Sequence, residues 1–78
     1  MGNFIKITES TELHSGMLIR EYNNDTEDYD NFILGEYIPG NDSFEVYPEG
    51  EDYLNKEGVL FYFPKSKMIN RDCEIYED

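Results

Sequence analysis

The apolar residues of this chain fall into short, dense runs that are separated by polar and acidic stretches. Six of these runs have the length of β-strands, and they occupy residues 4–7, 17–22, 32–38, 43–47, 59–63 and 73–76. Isoleucine, valine, phenylalanine and tyrosine dominate them, while alanine, glutamine and tryptophan are absent from the sequence. Aromatic and β-branched side chains suit a pleated sheet, whereas a small helical protein normally uses alanine and glutamine. The pattern therefore predicts a mainly β fold.

Local signals predict how these strands are connected. Gly35 interrupts the third run, which predicts a bulge or a sharp bend there. The sequence of residues 39–42, Pro-Gly-Asn-Asp, predicts a tight turn, so the third and fourth strands should form a hairpin. The fifth run, 59–63, has no polar alternation and predicts the central, most buried strand. Beyond it, Met68 and Ile69 are expected to fold back over the core.

The intervening stretches are predicted as loops and one short helix. Residues 23–31 contain no aliphatic side chain and predict an acidic loop around Tyr29. Residues 49–58 predict the helix, because acids come early, a lysine comes late and a glycine follows. We expect a small, strongly bent sheet of five or six strands, as in an SH3-like or OB-like barrel. An α+β fold with a helical turn over residues 9–14 is the alternative.

Length and cysteine content restrict the domain organisation and the compartment. The 78 residues allow one domain, spanning residues 1–78, with a single core. Cys73 is the only cysteine and alternates with Ile75, so we expect a reduced thiol in the core of a cytoplasmic protein. The N-terminal residues lack the apolar region of a signal peptide, and no run is long enough to span a bilayer.

The charge is the most informative property of the sequence. Eighteen acidic and six basic side chains give a formal net charge of −12. Direct binding to nucleic acid or to an anionic membrane requires lysine and arginine, so both are excluded as ordinary functions. High charge can serve solubility alone, or it can serve recognition of a basic partner.

The sequence offers no catalytic constellation. His14 and Cys73 are single and far apart, and no third group is positioned to orient or activate them. His14 is predicted to be an exposed loop residue. We therefore expect no enzymatic activity and no cofactor, and a zinc site lacks the four Cys or His ligands that it would need.

The segment after residue 24 is rich in oxygen ligands, as a calcium-binding loop would be. An EF-hand-like loop would use Asp25, Glu27, Asn31 and Glu36, but its sixth position needs glycine and holds Asp30. The flanking runs also predict strands rather than helices. A looser calcium-binding module is retained as an alternative function.

Tyrosines and acids are interleaved along the chain, and five of the seven tyrosines are adjacent to an acid. On a strand, neighbouring side chains face opposite sides, which predicts Tyr37 and Tyr76 in the core with their acids outside. Tyr29 and Tyr53 lie in predicted polar segments, and there they indicate a binding surface instead. Carboxylates combined with tyrosine anchors suit a partner rich in arginine and lysine.

The acidic runs at residues 25–30, 49–53 and 74–78 resemble the surfaces of the acidic DNA-mimic inhibitors of phages, which include anti-restriction and anti-CRISPR proteins. The resemblance is one of composition and surface. It implies a phage or mobile-element inhibitor, acting in the host cytoplasm, whose carboxylates replace phosphates on the nucleic-acid-binding surface of a host protein. The candidate partner-binding residues are Asp25, Glu27, Asp28, Tyr29, Asp30, Glu49, Glu51, Asp52 and Tyr53. The alternative is an assembly module that pairs with itself through a free strand edge, and we expect a monomer or a homodimer.

Overall fold

The computed structural model describes residues 2–50 and 58–78 of the chain. In these residues the strands are β1 (Asn3–Lys6), β2 (Leu18–Asn23), β3 (Asp28–Ile38), β4 (Ser43–Pro48), β5 (Phe61–Pro64) and β6 (Glu74–Glu77). A 3-10 turn, Pro39–Asn41, joins β3 to β4, and helix α1 (Lys65–Asn70) precedes β6. The predicted mainly β fold and the predicted hairpin of the third and fourth strands are confirmed.

All strand pairs are antiparallel, and they form one sheet in the order β1-β6-β2-β3-β4-β5. The first and last strands are neighbours, with Asn3 opposite Glu77. The described part of the chain measures 29 × 28 × 26 Å along its principal axes, so the sheet curls around its own core instead of lying flat. Strands β1 and β5 occupy the two edges of the strand order.

One face of the curled sheet packs against α1 to form the core. Its fully buried members include Ile19 on β2, Leu34 on β3 and Val46 on β4. Met68 of α1 and Cys73 just before β6 have no exposed surface, which confirms both sequence predictions. The hydrogen bond from the Cys73 N–H to the Met68 carbonyl oxygen, 3.0 Å, ties the end of the helix to the last strand.

Strand β4 is buried on both faces, and Gly35 makes this possible. The register of β3 against β4 shifts between Leu34 and Tyr37, which confirms the predicted bulge. On the face away from the core, the fully buried Tyr47 ring lies against the Gly35 Cα, where a Cβ would overlap it. The buried Glu45 carboxylate accepts hydrogen bonds from the Tyr47 hydroxyl at 3.1 Å and from the Glu36 N–H at 3.3 Å. Burial of this carboxylate is therefore compensated by two donors.

The prediction that residues 59–63 form the central strand is wrong. Strand β5 pairs with β4 at the edge of the sheet, and the centre is formed by β2 and β3. Tyr62 is 57% exposed and Leu60 is 51% exposed, whereas Phe63 is buried. The side chains of this run do alternate between two faces. Because the side chains on both faces are apolar, the hydropathy pattern of the sequence does not show the alternation.

The predicted acidic loop over residues 23–31 is also wrong in its extent. Strand β3 begins at Asp28, so only residues 24–27 connect it to β2. The strands continue beyond the last aliphatic residue because the Tyr22 and Tyr29 rings pack edge to face across the hairpin, with centroids 5.3 Å apart. Glu27 closes the turn with a left-handed φ of 56°.

The helical predictions had mixed outcomes. The helix predicted over residues 49–58 falls largely on residues 51–57, which lie outside the described residues. Residues 9–14 form a turn and a segment without regular secondary structure instead of the helical turn of the α+β alternative. Helix α1 was not predicted as a helix, because its six residues are too few to display a helical period and only Met68 among them is buried.

Candidate binding surface

The sheet carries a cluster of rings on its outer face, the side opposite the core. The strand register places Phe4 opposite Tyr76, Tyr22 opposite Tyr29, and Arg20 opposite Glu74. These pairs bring together side chains from β1, β6, β2 and β3. We call the group the aromatic face, and its members are Phe4, Arg20, Tyr22, Tyr29 and Tyr76.

Arg20 lies at the centre of the aromatic face. Its guanidinium carbon is 4.0 Å from the centroid of the Phe4 ring and 3.8 Å from that of Tyr29. Its Nε donates a hydrogen bond of 2.7 Å to Glu74 Oε1. Ring stacking and the partly buried ion pair link four strands and fix the orientation of both rings.

The tyrosines of the aromatic face remain accessible although their rings are held in place. Tyr22 is 47% exposed, and Tyr29 and Tyr76 are each more than a third exposed. Phe4 packs edge to face against Tyr76 with centroids 5.3 Å apart. Rings that are already ordered lose little entropy on binding, and their hydroxyls can still form hydrogen bonds with a partner.

Two tyrosines depart from the prediction that their side chains lie in the core. The side chains of β6 alternate between the two faces as expected. Ile75 faces the core, so Tyr76 lies on the outer face. Tyr37 is half-exposed because the bulge at Gly35 changes the alternation before it. Its ring packs against Phe44 with centroids 5.1 Å apart, and its hydroxyl donates a 2.6 Å hydrogen bond to Asp42.

The predicted acids around Tyr29 are divided between two sides of the hairpin. Asp28 and Asp30 flank Tyr29 on β3, so their side chains face the other side of the strand. Asp30 stands opposite Glu21 in the register and accepts a 3.2 Å hydrogen bond from Asn23. Asp28 and Asp30 therefore lie on the opposite face of the sheet from the Tyr29 ring, although they are its neighbours in sequence.

The turn and the second acidic segment complete the predicted set. Asp25 and Glu27 lie in the exposed turn at the tip of the hairpin, where the Asp25 N–H donates to the Asn23 side chain at 2.9 Å. Glu49 is exposed just after β4. The remaining predicted residues, Glu51, Asp52 and Tyr53, lie outside the described residues.

Several cations of the described chain are already paired with acids. Lys6 contacts Asp72 at 2.9 Å, Arg71 contacts Glu21 at 3.5 Å, and Arg20 pairs with Glu74 as described above. The hydrogen bond to Asp72 and its negative charge raise the pKa of Lys6. These three cations therefore already have acidic partners within the chain.

Arg20 and Phe4 were not predicted as site residues. Arg20 is the only basic residue within the six apolar runs apart from Lys6, and it alternates with Leu18 and Tyr22. That alternation is the signal that could have placed Arg20 and Tyr22 on one face. The partnership with Phe4 depends on β6 lying between β1 and β2, which no local pattern indicates.

The residues considered for calcium are not gathered into one site. Asp25 and Glu27 lie in the turn, while Asn31 and Glu36 lie at separate positions along β3. Within residues 2–50 and 58–78, no group of three or more His, Cys, Asp or Glu side chains is arranged to hold a metal ion. The same residues contain no helix with the length and apolar character needed to cross a membrane.

Comparison with known protein families, with curated proteins and with solved structures gives no match to this chain. The function is therefore inferred from the surface itself, from its charge and from the chemistry of the aromatic face.

Proposed function

We propose that this protein is a non-enzymatic binding protein that covers a basic surface of a protein partner with its aromatic face and the acids at its margins. The observation that carries the proposal is the set of ordered, accessible rings of Tyr22, Tyr29 and Tyr76 on a chain of net charge −12. Ring faces bind cationic side chains, and surrounding carboxylates attract them from a distance.

Arg20 supports this chemistry from within the molecule. Its guanidinium group stacks 3.8 Å from the Tyr29 centroid while a carboxylate binds its Nε. An arginine of the partner can make the same combination of contacts with Tyr22 or Tyr76, whose rings are exposed. Each such contact contributes about 0.5–2 kcal/mol, depending on how far it is removed from water.

We propose further that the covered surface is a nucleic-acid-binding surface of a host protein. Such surfaces are dense in arginine and lysine, and they are the protein surfaces whose charge best matches a chain of this acidity. The acids at the tip of the hairpin, Asp25 and Glu27, then replace backbone phosphates, and the protein acts as an inhibitor encoded by a phage or another mobile element. Displacement of nucleic acid from the partner is the direct functional consequence.

The contribution of the aromatic face can be tested with single tyrosine variants. The partner is first identified by affinity capture from host lysate at low and at high salt, and binding kinetics are then measured by surface plasmon resonance. Tyr22→Ser should raise the dissociation rate about tenfold, because ordered aromatic anchors dominate binding energy. Tyr62→Ser is the matched control, since Tyr62 is an exposed tyrosine of edge strand β5 and not of the aromatic face. Equal effects of the two variants would contradict the proposal.

The contribution of charge can be tested separately at the hairpin. Asp28→Lys with Asp30→Lys changes the net charge from −12 to −8, since each of the two replacements adds two positive charges. We expect the association rate to fall about tenfold at low salt and the difference to shrink at high salt. Competition with the partner's nucleic acid should weaken in parallel. An unchanged association rate would exclude this hairpin from recognition.

The edge of β1 supports a second candidate function, self-assembly. Among the described residues, no strand pairs with the outer side of β1, and Ile5 beside that edge is 39% exposed. Light scattering over a range of concentrations distinguishes the two functions. A dimer that Ile5→Lys converts to a monomer would favour the assembly module, whereas a monomer at all concentrations would favour the binding protein.

A further inference from the structure

A pocket opens between residues 9–14, the end of β3 and the start of α1. Its volume is about 480 Å³, within the range of ligand sites. Its apolar floor is formed by Phe44, which is almost fully buried, and by the adjoining ring of Tyr37. The pocket lies at the opposite end of β3 from Tyr29, so it is separate from the aromatic face.

The walls of the pocket carry more negative than positive charge. Glu9, Glu12 and Asp42 line it, while Lys65 contributes one positive charge. The Lys65 ammonium group is engaged in the wall, where it donates hydrogen bonds to the carbonyl oxygens of Glu9 and Thr11. These bonds tie residues 9–11 to the start of α1, and both segments line the pocket. The carboxylates therefore outnumber the lysine three to one.

Tyr37 and Asp42 form a preorganised polar edge of this pocket. The Tyr37 hydroxyl donates a 2.6 Å hydrogen bond to Asp42 Oδ1, and this bond raises the pKa of Tyr37. Asp42 is held by a left-handed backbone with φ of 49°, and its N–H donates to the Pro39 carbonyl oxygen. The carboxylate is thus fixed beside the Tyr37 ring.

We infer that this pocket binds the guanidinium group of an arginine side chain presented by another molecule. A planar guanidinium group can stack on an aromatic ring while it forms directed hydrogen bonds to a carboxylate, which an ammonium group does less well. An arginine of this chain is already bound in a similar way, since Arg20 contacts the rings of Phe4 and Tyr29 and forms a hydrogen bond to Glu74. The pocket offers the exposed ring of Tyr37, which packs against Phe44, and beside it a fixed carboxylate.

The inference is tested with Nα-acetyl-arginine amide as the probe and the isolated protein as the receptor. In ¹H–¹⁵N correlation spectra we expect saturable shifts at residues 9–14, at Tyr37 and at Asp42. The citrulline derivative has the same shape without the charge and should produce no saturable shift. Equal binding of the citrulline or the lysine derivative would overturn the assignment to a guanidinium group.

Asp42→Asn provides the decisive variant. Asparagine tolerates a left-handed backbone and can still accept the hydrogen bond from Tyr37, so the pocket keeps its shape and loses one charge. The affinity for the arginine probe should fall about tenfold. Asp72→Asn is the matched control, because Asp72 is also left-handed, with φ of 57°, and does not line the pocket. Equal loss in both variants would overturn the inference.

The outcome does not depend on the proposed function. Tyr22→Ser should leave binding of the probe to the pocket unchanged, since Tyr22 belongs to the aromatic face. Shifts confined to Tyr22, Tyr29 and Tyr76 would overturn the pocket inference while supporting the aromatic face. Shifts at the pocket, with no effect of Tyr22→Ser on partner binding, would support the pocket and contradict the proposed function.

Discussion

Gly35→Ala is expected to destabilise the fold by about 2 kcal/mol and to lower the Tm by roughly 10 °C. The added Cβ would overlap the Tyr47 ring, which is fully buried and cannot rotate into solvent. It would also approach Glu45 Cβ to 3.2 Å, on the strand that carries the ring. Thermal and urea unfolding followed by circular dichroism measure the loss. The larger Gly35→Val replacement should reduce stability further.

Gly40→Ala is the matched control for this prediction. No atom lies within 4 Å of the position that its Cβ would occupy, so the added methyl group meets open space. Removing glycine flexibility from the unfolded chain should stabilise the protein by about 0.4–1 kcal/mol where the backbone permits alanine. The two identical replacements should therefore shift the unfolding midpoint in opposite directions. An unchanged midpoint for Gly35→Ala would contradict the packing of Tyr47 against the strand.

The Cys73 thiol should react at least about 1,000-fold more slowly with iodoacetamide in the folded protein than in the unfolded chain at pH 8. Burial raises the pKa of Cys73 from 9.0 to about 12, with a further contribution from the Glu21 carboxylate. At pH 8 this difference makes the thiolate fraction of the folded protein about a thousandth of that of the unfolded chain. The side chain also has no exposed surface. Mass spectrometry of alkylated protein, with and without denaturant, measures the ratio. Comparable rates would contradict the buried position.

The same pKa difference makes stability depend on alkaline pH. Below about pH 8 the thiol is almost entirely protonated in both states, and its contribution is nearly constant. Between pH 9 and 12 the unfolded chain loses the proton while the folded protein keeps it, so the free energy of unfolding falls as the pH rises. Relative to Cys73→Ala, the wild-type protein should lose about 1.4 kcal/mol of its stability advantage between pH 8 and pH 10. The comparison cancels the titration of lysines and tyrosines that both proteins share.

The parts of the fold that local sequence could predict are those that depend on neighbouring residues. The hairpin around Pro39 and Gly40 follows from turn chemistry, and the bulge at Gly35 follows from the interruption of a strand pattern. The position of β5 could not be predicted in this way. Tyr62 and Phe63 are both apolar enough to suggest full burial, and only the strand order shows that one of them faces outward.

The candidate site was predicted in its chemistry more than in its geometry. Tyr29 is predicted to lie at the surface, and the structure places it on the accessible face of a strand. Its acidic neighbours Asp28 and Asp30 were expected beside it, but the period of two along β3 turns them to the other side. Phe4 is separated from Arg20 by only sixteen positions, yet their contact requires the last strand of the chain to lie between their two strands.

The aromatic face can form completely only after β1 has paired with β6 during folding. The loop that connects β2 to β3 has four residues. Pairing of β1 with β6, by contrast, brings together Ile5 and Ile75, which are seventy positions apart in the chain. Loop closure on that scale costs about 2–3 kcal/mol more in chain entropy, so the terminal pair should form late. Phe4 and Tyr76 lie on those two strands, which means that the aromatic face is completed only after the core. We therefore expect partner binding to report on completed folding, with partly folded chains unable to engage the partner through this surface.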